Sequence, residues 1–89
     1  MKSAYKITSE YDDKKDISIK KWHYKQGRYS LEAGVYIYAD GLPKLQIGPR
    51  KYGDRIIRIG RLTLDETVWV SSIMDEVIEL LEELEADDD

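Results

Sequence analysis

Apolar and polar residues alternate with a period of two along most of this chain and switch to a helical period near its end. Residues 4–11 predict a strand with Tyr5, Ile7 and Tyr11 on one side, closed by the charged turn Asp12-Asp13-Lys14-Lys15. A second strand over 16–24 places Ile17 and Ile19 on one face and Lys20, Trp22 and Tyr24 on the other, and Gln26-Gly27 turns the chain. The third, over 28–39, alternates without a fault: Tyr29, Leu31, Ala33, Val35 and Ile37 face one way, Ser30, Glu32, Tyr36 and Tyr38 the other. Asp40-Gly41 marks a hairpin, since both residue types tolerate the positive φ of a tight reversal. A fourth strand over 43–51 carries Leu45 and Ile47 on its apolar side and Lys44, Gln46 and Arg50 on its polar side. Pro49, which has no N–H for a ladder, implies an edge or an early end there. After Tyr52-Gly53-Asp54, a fifth strand over 55–64 changes phase at Gly60, as a bulge would make it do.

From Asp65 the apolar positions Val70, Met74, Val77, Leu81 and Leu84 recur at steps of four and three, with Ile73 and Leu80 beside them. These spacings predict a helix of about 18 residues. It starts either at an Asp65 cap or at a Thr63/Glu66 capping box. Its apolar stripe is wider than one sheet contact needs, so Val70, Met74, Val77, Leu81 and Leu84 are candidates for a homodimer interface. The predicted fold is therefore α+β, an antiparallel sheet of four or five strands followed by one C-terminal helix. Residues 1–86 form a single domain and 87–89 an acidic tail.

Charge sharpens this division. All 14 Lys and Arg lie in residues 1–61 against 7 Asp and Glu, a balance of +7, whereas residues 62–89 hold 11 Asp and Glu and no base. A basic sheet is thus joined to an acidic helix, which lets one face attract polyanions while the other repels them. With 89 residues the core is small, and dimerisation is an expected remedy. There is no cysteine to supply a disulfide or thiolate site, and no apolar run long enough to span a bilayer, which together imply a cytoplasmic protein. Asparagine and phenylalanine are absent and 36% of residues are charged, a composition resembling that of proteins from hot environments.

Catalysis is poorly provided for. One histidine, no cysteine and no Gly-rich phosphate loop leave no nucleophile-and-base pair, so no enzyme, cofactor, metal or small-molecule substrate is expected. His23, between Trp22 and Tyr24, reads as a packed or solvent-facing strand residue, and Asp75, Glu76, Glu79, Glu82 and Glu83 as the solvated face of the helix. If the alternation holds, Lys20, Trp22, Tyr24, Tyr36, Tyr38, Lys44, Gln46, Arg50 and Arg58 share the outward sheet face. Interleaved aromatics and cations suit single-stranded nucleic acid, with rings to stack unpaired bases and charges to hold the backbone. The competing interpretation is that these aromatics pair across strands or lie under a second subunit.

Three segments bear on the choice: the hairpin from Tyr38 through Asp40-Gly41 to Ile47, the strand exit Gly60-Arg61-Leu62-Thr63-Leu64, and the helix entry Asp65-Glu66-Thr67-Val68-Trp69. Together they resemble the transcriptional coactivator positive cofactor four family. The resemblance covers about a third of the chain closely. It implies a curved four-stranded antiparallel sheet, dimerisation through the helices, and single-stranded DNA, more than RNA, running across the sheet with little sequence preference. The chain differs from that pattern in its extra N-terminal strand, its acidic helix, and the lack of a basic-aromatic pair in the middle strand. The alternative function is a small protein-interaction module, regulatory or viral, acting through the acidic helix or tail.

Overall fold

A computed structural model describes residues 13–86, so the strand expected over 4–11 and the tail at 87–89 lie outside the described residues. A single 3-10 turn (Asp13–Lys15) leads into β1 (Asp16–Gln26), β2 (Tyr29–Tyr38), β3 (Lys44–Tyr52) and β4 (Arg55–Ile57), and α1 (Leu64–Ala86) is the last of the described elements. The strands form one antiparallel sheet in the order β1-β2-β3-β4. Four strands and one following helix make the fold α+β, as the periodicity predicts.

The alternation of β2 sets the core. Leu31, Ala33 and Val35 are fully buried, and Ala33 and Val35 join Ile73 and Val77 of α1, flanked by Trp22, Leu45, Ile47, Trp69 and Met74. Burying a Leu, Ile or Val side chain stabilises by roughly 1.5–3 kcal/mol, and so few are fully buried that the core is thin. Large apolar side chains remain at the surface, among them Ile56 (70% exposed), Leu64 (78%) and Val68 (59%).

Two bulges break the period of two. In β1 the register shifts between Ser18 and Lys20, so Ile19 is the extra residue. Ser18 pairs with Tyr36, but Lys20, Trp22 and Tyr24 pair with Val35, Ala33 and Leu31. Directly paired residues share a face. The bulge therefore turns Lys20, Trp22 and Tyr24 towards the helix, not outward as regular alternation predicts. In β3 the residues Gly48-Pro49 stand opposite Glu32 alone, through a cis peptide and a Gly48 φ of 122°. Beyond that point Arg50 pairs with Leu31, on the helix side, and Lys51 with Ser30, on the other. Pro49 is tolerated because β4 pairs only with Arg50, Lys51 and Tyr52, leaving the outer side of β3 without a strand at that position.

The fifth predicted strand shrinks to β4, whose three residues are followed by an irregular segment over 58–63. Backbone atoms of Arg61 and Thr63 find partners other than a ladder. Arg50 Nη2 donates to the Arg61 carbonyl at 2.7 Å, and the Thr63 N–H donates to Glu66 Oε1 at 2.8 Å. Glu66 N–H in turn donates to Thr63 Oγ1 at 3.2 Å, which completes the capping box and makes Thr63, not Asp65, the cap. The hairpin between β2 and β3 spans 39–43, with the Gly41 N–H bonded to the Tyr38 carbonyl at 2.9 Å. Its positive φ falls on Ala39 (55°) and not on Asp40-Gly41.

Candidate nucleic-acid interface

Cross-strand pairing assigns each residue to the face that carries α1 or to the opposite, open face. The open face is built in rows: Asp16 beside Tyr38, Ser18 beside Tyr36 and Lys44, Lys21 beside Gly34 and Gln46, His23 beside Glu32, and Lys25 beside Ser30 and Lys51. Lys21, His23, Lys25, Lys44, Gln46 and Lys51 are exposed, and no described element packs over them. Of the residues expected outward, Tyr36, Tyr38, Lys44 and Gln46 are there.

Tyr36 lies against Gly34. A Cβ on Gly34 would come within 2.7 Å of the tyrosine ring, so only glycine lets the ring settle flat on the sheet. The Tyr36 hydroxyl donates to Glu32 Oε2 at 3.1 Å. Burial first, then the Glu32 carboxylate, pushes the phenol above its ordinary value, so it stays protonated as the donor. Glu32 also faces His23 Nε2 at 3.3 Å and Lys21 Nζ at 3.8 Å. One carboxylate thus orients a ring, an imidazole and an ammonium on the same surface.

At the hairpin end, Asp16, Tyr36, Tyr38, Leu42, Lys44 and Gln46 line a half-open cleft of about 490 Å³. Its rim is held by the Gly41 to Tyr38 turn bond and by the Ala39 N–H donating to the Lys15 carbonyl at 2.8 Å.

The remaining expected site residues are engaged elsewhere. Lys20 and the Trp22 indole N–H (3.1 Å) both donate to Glu76 of α1, and Lys20 lies 5.4 Å from the Trp22 ring centre. The Lys20 contact, and after it that of Trp22, holds the Glu76 carboxyl below the usual carboxylate range. Tyr24 packs on Trp69, ring centres 5.7 Å apart, and meets Tyr29 edge-on. Arg50 binds Glu66 and Tyr29, and Arg58 is exposed in the irregular segment after β4. Lys20, Trp22, Tyr24 and Arg50 therefore link sheet to helix, and are not part of the open face.

Lys21, His23, Lys25 and Lys51 are the open-face residues that alternation misses. The Ile19 and Gly48-Pro49 bulges reverse the phase before each of them, and Gly48-Pro49 was the visible signal for the second. Of the helix positions considered for an interface, Val77 is fully buried in the core, Met74, Leu81 and Leu84 pack partly against it, and Val70 is half-buried. Among the described residues no three His, Asp or Glu side chains gather as a metal site, and no helix is long and apolar enough to cross a membrane. Comparison of the chain with family models, with curated proteins and with solved structures found no match.

Proposed function

We propose that the open face binds single-stranded DNA or RNA without catalysing a reaction on it. The observation that supports this most is the placement of Tyr36 and Tyr38, two residues apart on β2, among the exposed Lys21, Lys25, Lys44 and Lys51 on a face that the acidic helix leaves clear. Such a surface stacks bases of any kind and holds the backbone by charge, which gives little sequence preference along most of the strand. The acidic α1 on the opposite side repels the same polyanion and orients its approach. The resemblance to the positive cofactor four family points the same way.

The test is a fluorescence titration of labelled oligothymidine at several salt concentrations. Log affinity should fall linearly with log salt, by about 0.7 for each phosphate neutralised. Absence of binding at low salt would refute the proposal.

The protein acts, on this account, as a cytoplasmic homodimer in which a second copy covers the flank of α1 bearing Val70, Met74, Leu81 and Leu84. The thin core and the exposed Ile78 (47%) support a further covering surface. A protein-interaction role is the second reading. It is favoured by the exposed Ile56, Leu64 and Val68, which the proposed strand path on the open face does not use.

A further inference from the structure

We propose that the cleft at the hairpin end of the open face is a base-reading subsite for guanine within a single strand. The inference rests on the single-strand reading above and refines it, adding a preference at one nucleotide to a surface that otherwise binds without regard to sequence.

The cleft has the size and composition of a ligand site. Its volume of about 490 Å³ falls within the range of roughly 300–1,000 Å³ usual for small-molecule sites. It is assembled from three strands and the hairpin: Asp16 and Tyr38 are cross-strand partners, as are Tyr36 and Lys44, while Gln46 lies beside Gly34 and Leu42 rises from the loop. The walls are held before any ligand arrives. Tyr36 is fixed by Gly34 and Glu32, and the loop is tied by its bonds to Tyr38 and Lys15.

The chemistry of the lining selects a base over a phosphate. Two phenol rings and the exposed Leu42 suit a flat, largely apolar ligand, and the Asp16 carboxylate would repel an anion placed in the cleft. The Lys44 ammonium and the Gln46 amide supply donors on the other side. Among the described residues Gln46 Nε2 donates to the Gly48 carbonyl at 3.4 Å, a weak bond that is easily exchanged.

A carboxylate acceptor opposite two donors discriminates among the bases. Guanine alone places two adjacent donors, N1–H and the N2 amino group, next to an acceptor, O6. A carboxylate accepts from both donors at once, while a lysine or glutamine donates to O6 or N7. Adenine and cytosine each set a ring-nitrogen acceptor beside their amino group, and thymine flanks its single N–H with two carbonyls. Each of these turns an acceptor towards Asp16. In this assignment Asp16 reads the donor pair, Lys44 and Gln46 read O6 and N7, and Tyr36 and Tyr38 stack.

The experiment is fluorescence anisotropy with a short labelled oligothymidine and with the same oligomer carrying one central guanine, one inosine or one adenine, on the full chain and on Asp16→Asn. The wild type should bind the guanine oligomer about fivefold or more tightly than oligothymidine, the gain of a doubly hydrogen-bonded base contact. Inosine, which lacks the N2 amino group, should lose most of the gain, and adenine all of it. Asp16→Asn should bind the guanine oligomer no more tightly than it binds oligothymidine itself. Equal binding of all four oligomers would overturn the subsite and leave single-strand binding standing. A guanine preference that survives both inosine substitution and Asp16→Asn would overturn the assignment to this cleft, and failure to bind any oligomer would overturn the subsite and the single-strand reading together.

Discussion

Arg50 grips the Glu66 carboxylate at two points, Nε to Oε2 at 3.0 Å and Nη2 to Oε1 at 2.8 Å, and so fastens β3 to the first turn of α1. Glu66 is 1% exposed and receives the Thr63 N–H as well, so the pair also closes the capping box. Removing the guanidinium leaves a buried carboxylate without its counter-charge. Arg50→Ala should therefore lower stability by about 3–5 kcal/mol in denaturant titrations, and Glu66→Ala by a similar amount. A basic residue engaged in this way is structural, and Arg50→Lys, which cannot fork, should recover only part of the loss.

The Lys20, Trp22 and Glu76 cluster makes stability depend on pH at the acid end. The Glu76 pKa is lowered in the fold, chiefly by the Lys20 contact and then by that of Trp22, so the ionised carboxylate favours the folded state. That contribution is fully present above the ordinary value of 4.5 and disappears as pH falls through the lowered one. Thermal melts of wild type and Glu76→Gln should thus differ most near neutrality and converge below the ordinary carboxylate range. Curves that stay parallel down to strong acid would show that the cluster contributes nothing.

Ala39 occupies a left-handed conformation, φ 55°, in the β2–β3 hairpin. That geometry costs an L-residue roughly 1–2 kcal/mol, while glycine adopts it freely but adds roughly 0.4–1 kcal/mol of unfolded-chain entropy. Ala39→Gly should therefore stabilise the protein by about 0.5–1 kcal/mol in a chemical melt.

Val77 and Leu81 separate core from proposed interface on one helix. Val77 is fully buried, so Val77→Asp should unfold the chain, at a cost of several kcal/mol. Leu81 is half-buried, and Leu81→Asp should instead convert the proposed dimer to monomer in sedimentation velocity while far-ultraviolet dichroism is retained. A Leu81→Asp variant that remains dimeric would place the interface elsewhere.

The sheet and helix were legible in the sequence wherever the period ran unbroken. Leu31, Ala33 and Val35 are buried as their alternation requires, and Thr63-Leu64-Asp65-Glu66 shows its capping box. What was not legible shares one physical cause. An inserted residue moves every later side chain to the other face, and nothing around Ile19 in the pattern of residue types distinguishes a bulge from regular strand. Lys20, Trp22, Tyr24 and Arg50 were displaced from the expected surface in this way. The capping box and the Arg50 bond to Arg61 likewise used backbone groups that the fifth strand would have paired.

Tyr38 and Lys44 separate stacking from charge on the open face. Tyr38→Ala should weaken single-strand binding by about 1–3 kcal/mol with an unchanged salt slope, because it removes a platform and no cation. On oligothymidine, which offers Lys44 no guanine to read and leaves its ammonium to the backbone, Lys44→Ala should reduce the slope by about 0.7. If Tyr38→Ala lowers stability but binds as wild type per folded molecule, the tyrosine serves the fold.

The adjacent lysines of β1 offer the most direct test, because the bulge sends them to opposite faces. Lys20 pairs with Val35 and contacts Glu76 on the helix side, whereas Lys21 pairs with Gly34 on the open face. The measurement is the salt dependence of oligothymidine affinity for wild type, Lys20→Ala and Lys21→Ala. An open-face site predicts a slope reduced by about 0.7 in Lys21→Ala and unchanged in Lys20→Ala. The reverse pattern, or equal reductions in both, would contradict it.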